Sequence, residues 1–131
     1  MSSDAENWIE LGYRAYEREE IAQAARWWRM AAVHGRAEAM INLGLLADDN
    51  PAEREQALQW FYRAANTGST DGMIFLSEML KEHGDFVAAQ AWLQRAAALG
   101  NQEAVARLEA MNSSARRMEL LEDDTEMRQS A

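Results

Sequence analysis

Two histidines, His34 and His83, are the side chains of this sequence best placed to move protons or bind a metal near neutral pH. His34 precedes Gly35 at the end of an apolar-periodic stretch, where an imidazole complements the negative end of a helix dipole. His83 sits in a turn beside Gly84. Neither has a second His, a Cys or a carboxylate at ligand spacing. The chain has no cysteine at all, which removes thiolate metal sites and disulfides together. No nucleophile elbow, phosphate-cradling glycine loop or HExxH-type helix is present. The 22 acidic residues are scattered in the manner of a solvated face. The expectation is a non-catalytic protein with no metal, no cofactor and no evident small-molecule substrate.

Five tryptophans invite a ligand cage, but their register argues for core packing. Residues 24–35 read AARWWRMAAVHG, residues 57–68 read ALQWFYRAANTG, and residues 89–100 read AQAWLQRAAALG. Each copy runs from an alanine (Ala24, Ala57, Ala89) to a tryptophan (Trp27, Trp60, Trp92) and a second large residue (Trp28, Phe61, Leu93). An alanine pair and a closing glycine (Gly35, Gly68, Gly100) follow. The period is 33 residues for the first step and 32 for the second. Self-similarity at such a period marks a stacked repeat array.

Positions 1, 4, 5, 8 and 9 of the phrase share one side of an α-helix. Its large residues supply buried area, its alanines allow close approach, and its glycine suits the left-handed residue past a helix end. The phrase is therefore the second, B-type, helix of a helical hairpin. Trp60, in the middle copy, is expected to be buried from both sides.

The first, A-type, helices fall at about 4–17, 37–47, 70–82 and from 101 to about 111. Framework leucines Leu11, Leu43, Leu76 and Leu108 mark them. The turn Asp48-Asp49-Asn50-Pro51 is a strong breaker, and Asn112-Ser113-Ser114 reads as a turn or a new N-cap. The expected organisation is an array over residues 1–112, with repeats at about 5–35, 36–68 and 69–100 and a half repeat at 101–112. Residues 113–131 would form a capping helix and an acidic tail. A single proline and few alternating β-branched runs make the chain all-α. The MSSDAENW start lacks a secretory pattern, and no window resembles a membrane span, so a cytoplasmic location is expected. A formal charge of −9 disfavours nucleic acid and anionic membrane and favours a basic or apolar-basic protein surface.

The face of each A-type helix opposite the core carries an unusual pattern. Two residues before the framework leucine stand Ile9, Ile41 and Ile74; two after it stand Tyr13, Leu45 and Glu78. Glu6, Glu38, Asp71 and Glu103 form an acidic row, with Glu10, Asn42 and Phe75 beside it. The isoleucines either line a groove or pack between successive A-type helices.

The sequence A-x-x-W-[aromatic]-x-x-A-A-x-x-G-x-x-x-A-x-x-x-L-G resembles the Sel1-like repeat, a relative of the tetratricopeptide repeat. Its clearest instance runs through Ala24, Trp27, Trp28, Ala31, Ala32, Gly35, Ala39, Leu43 and Gly44, and the resemblance covers residues 5–111. It implies an all-α, right-handed superhelical solenoid of stacked helix-turn-helix repeats, with A-type helices lining a concave groove. It also implies a scaffold or adaptor that holds a protein or peptide there. The expected contact residues are Glu6, Ile9, Glu10, Tyr13, Glu38, Ile41, Asn42, Leu45, Asp71, Ile74, Phe75 and Glu78. The alternative is an acidic inhibitory or immunity-type protein that occludes a basic surface of a partner enzyme.

Overall fold

The computed structural model describes residues 4–129. The first three residues of the MSSDAENW stretch and the last two of the 113–131 tail lie outside them. Seven α-helices follow in order: α1 (Asp4–Glu17), α2 (Ile21–Val33), α3 (Ala37–Asp48), α4 (Arg54–Asn66), α5 (Thr70–Glu82), α6 (Phe86–Ala98) and α7 (Gln102–Gln129). A single 3-10 turn, Pro51–Glu53, joins α3 to α4. The A-type helices are α1, α3, α5 and α7; α2, α4 and α6 carry the repeated phrase. Each helix packs chiefly on the one before and the one after it, which makes the fold an all-α solenoid of helix pairs.

Local signals set the helix ends. Gly35, Gly68 and Gly100 adopt φ of +81°, +96° and +94°, and after the first and third of them the chain closes the helix with a Schellman bond. Arg36 N–H reaches Ala31 O at 3.2 Å, and Asn101 N–H reaches Ala96 O at 3.1 Å. Helix starts are capped where the sequence offers a short polar side chain. Ser69 Oγ accepts from Gly72 N–H at 3.0 Å, Asp85 Oδ1 from Ala88 N–H at 3.2 Å and Asn101 Oδ1 from Ala104 N–H at 3.0 Å. Asn50, held extended before Pro51, caps the 3-10 turn through Ala52 N–H.

The core is built on the phrase. Ala24, Ala31, Ala57, Ala64, Ala89 and Ala96, at its first and eighth positions, have no exposed surface, so neighbouring helices meet there with nothing larger than a methyl between them. Trp28, Phe61 and Leu93 are the buried large residues. Trp27, Trp60 and Trp92 are only half-buried, and Trp60 is not enclosed from both sides. The two positions are 100° apart on the helix, and only the second points onto the A-type helix of its own hairpin. The rim position is covered locally: the Arg63 guanidinium lies 4.7 Å over the Trp60 ring and Arg95 lies 4.5 Å over Trp92.

Glycine on the A-type helix answers the aromatic on the B-type helix. A Cβ on Gly12 would stand 2.2 Å from Trp28 Nε1, and one on Gly44 would stand 2.5 Å from Phe61. In the third hairpin the equivalent pair is Ser77 and Leu93, and the Ser77 hydroxyl donates to Ala89 O at 2.9 Å.

The expected turn at Asn112-Ser113-Ser114 does not form. These residues are helical, and α7 runs unbroken through the boundary between array and tail. Nothing between Gln102 and Gln129 can stop it, since the last glycine is Gly100 and the only proline is Pro51. Asn and Ser inside a helix cost only about 0.5 kcal/mol each. Residues 113–129 are all exposed; Ser114, Ala115 and Met118 border α6 across a cavity, and beyond them the helix extends away from the array rather than capping it.

Candidate partner-binding site

The residues expected to line the groove divide by burial. Ile9 and Ile74 are buried at 5 % exposure and Ile41 is half-buried, so the isoleucine row packs between helices and offers no open ladder. The inner A-type helices α3 and α5 each touch two B-type helices and, at their edges, one another, which widens their buried arc beyond one stripe. Ile9 also holds Trp28 in place, its carbonyl accepting from the indole Nε1 at 3.2 Å. What remains exposed is Leu45 and Phe75, 41 % and 36 % accessible, with Tyr13 half-buried beside them. Phe75 stacks at 5.5 Å on buried Phe61, so its ring is held from below.

The acidic row is present, and the chain itself supplies much of its counter-charge. Glu6 meets Arg36 at 3.5 Å, Glu10 meets Arg14 at 3.4 Å, and Arg107 bridges Glu103 and Glu78. Glu38 accepts from the Tyr13 hydroxyl at 2.8 Å. Burial raises the Tyr13 phenol above its ordinary pKa, and the neighbouring Glu38 carboxylate adds to the rise. Asp71 lies exposed in a small hollow with Ile74, Phe75, Glu78, Glu103 and Arg107. Asn42 is half-buried, with its Nδ2 enclosed and its amide set against the Tyr13 hydroxyl, where it opposes part of the rise in the phenol's pKa.

Both histidine rings lie against the backbone of their own helices. The Nδ1 of His34 lies 3.0 Å from Met30 O and that of His83 lies 2.8 Å from Met79 O, each tying the ring to its own last helical turn. Among the described residues no group of three or more His, Asp or Glu could hold a metal. No helix among them is long and apolar enough to cross a membrane.

A cavity opens where the sequence pattern shows no groove. It holds about 690 Å3 between α5, α6 and α7, and its apolar walls include Phe86, Val87, Leu93, Met111 and Met118. It opens in the hairpin that lacks the aromatic of the first two. The sequence did carry a signal, since Leu93 and Ser77 are where both the aromatic and the glycine register break.

Known structures share this architecture. A Sel1 repeat protein from Oxalobacter formigenes is 29 % identical, with a TM-score of 0.66 over 82 % of this chain and 89 % of that one. The repeats are Sel1-like. A protective antigen of uropathogenic Escherichia coli strains, displaying an SLR fold, is 28 % identical with a TM-score of 0.72. The match covers 85 % of this chain but only 26 % of the antigen. The Sel1-like array also superposes on the type III secretion chaperone SycD of Yersinia enterocolitica, in complex with a peptide of the translocator YopD. That match is 19 % identical with a TM-score of 0.65, over 87 % of this chain and 97 % of the chaperone, a likeness of fold. No family model and no curated protein matches the sequence.

Proposed function

We propose that this Sel1-like protein is a non-catalytic cytoplasmic scaffold that binds a protein segment along the A-type face. The observation that carries the reading is the pair of exposed apolar side chains, Leu45 and Phe75, framed by the exposed carboxylates Glu38 and Asp71. Two large apolar groups on neighbouring helices give an incoming segment its anchors. The carboxylates around them favour Lys or Arg on either side of those anchors. Support by fold comes from SycD, whose structure holds a translocator peptide. No observation favours the inhibitor alternative.

The test uses a synthetic peptide with two apolar residues flanked by lysines, followed by fluorescence anisotropy. Its glutamate-flanked counterpart should bind at least about tenfold more weakly. Glu38→Lys with Asp71→Lys should weaken the lysine peptide and flatten its salt dependence, and Leu45→Ser with Phe75→Ser should abolish binding. Equal binding of both peptides, or indifference to both pairs of substitutions, would overturn the proposal.

A further inference from the structure

We infer that the projecting half of α7 is a self-association surface, and that its occupant is α7 of a second copy running antiparallel. Residues 112–129 span about 27 Å of α7; up to Met118 they border α6 across the cavity, and the remainder projects beyond the array. That length of helix, exposed from Ser113 to Gln129, is marginal in water on its own. The helix is continuous from Gln102, so it cannot fold back onto its own first half. Met111, Ser114, Met118, Leu121 and Thr125 follow one another by three, four, three and four residues, the spacing of a two-helix seam. Met118 and Leu121 are 64 % and 62 % exposed, and the seam borders the apolar cavity beside Phe86 and Val87.

Charge selects the occupant and its direction. The half of the extension nearest the array carries Arg116 and Arg117, and the cavity rim adds Lys81, the Arg107 there being paired with Glu78 and Glu103. Glu119 follows them, and the far half carries Glu122, Asp123, Asp124 and Glu126, with Arg128 one turn on from Asp124 and paired to it at 3.2 Å. A parallel pair would lay like on like. An antiparallel pair in which Met118 meets the partner's Leu121 sets Arg117 beside the partner's Asp124, twice by symmetry. It also brings the acidic half of each copy to the basic end of the other. Both flanking positions are exposed, so substitutions there test the interface without touching the core.

The experiment is analytical ultracentrifugation of the full chain across the micromolar range, with circular dichroism confirming unchanged folding. The wild type should approach a dimer. Arg117→Glu and Asp124→Arg should each raise the dimer Kd by about tenfold or more, because each replaces two attractive contacts with two repulsive ones. An equimolar mixture of the two variants, and the double variant alone, should recover the dimer. A monomeric wild type at every concentration overturns the inference, whether the seam is covered by another protein or by the chain's own residues. So does a dimer that neither variant disturbs, or a mixture that fails to recover.

Discussion

In the first two hairpins a glycine on the A-type helix receives an aromatic ring from the B-type helix; in the third a serine faces a leucine. Gly12 with Trp28 and Gly44 with Phe61 leave no room for even one more carbon. Ser77 with Leu93 keeps the helices together through a smaller side chain and a hydroxyl bonded to the Ala89 carbonyl. The cavity of about 690 Å3 lies in this third region, with both residues on its wall. The difference teaches that the repeat is conserved within the chain as a packing volume shared across two helices, not as a residue at each position. Where that sum falls short, the array opens.

The largest effects should come from emptying the shared volume. Trp28→Ala and Phe61→Ala are expected to destabilise by about 3–5 kcal/mol, with Leu93→Ala nearer about 2 kcal/mol because its surroundings are already open. Urea unfolding gives the ranking, and an equal loss at all three sites would break the comparison. Trp60→Ala should cost only about 1–2 kcal/mol, since its ring is half-buried under Arg63.

A smaller effect sharpens the point. Gly44→Ser alone should destabilise by about 1–3 kcal/mol through the clash with Phe61. Paired with Phe61→Leu it recreates the third hairpin's solution inside the second. The two changes should then be non-additive, with a favourable coupling of about 1 kcal/mol in a double-mutant cycle. Strict additivity would mean the glycine and the ring do not answer one another.

The smallest effect belongs to the A-type face. Because the folded state holds the Tyr13 phenol above its unfolded pKa, its contribution is intact below about pH 10 and is lost as the pH rises through the folded value. Alkaline melts of Tyr13→Phe should lack that part of the decline. The same slope in variant and wild type would detach Tyr13 from it.

Much of this was legible beforehand because the signals are local. The phrase fixes three B-type helices by its period, and Gly35, Gly68 and Gly100 end them where expected. The end of α7 was misread because Asn112-Ser113-Ser114 resembles a turn, yet weak helix formers do not stop a helix that meets no glycine or proline. The isoleucine row was ambiguous for another reason. A helical wheel shows which residues share a side, but not how many neighbours that side touches.

The sequence by itself determined the all-α repeat, the hairpin order and the small-large-small face of each B-type helix, because helical period and end signals act within about four residues. Only the tertiary structure decided which of two adjacent aromatics points inward and that Glu6 meets Arg36 from the next hairpin's start. It alone placed a cavity beside Leu93. Those outcomes depend on how helices distant in sequence cross and approach, and no short stretch of chain contains that geometry.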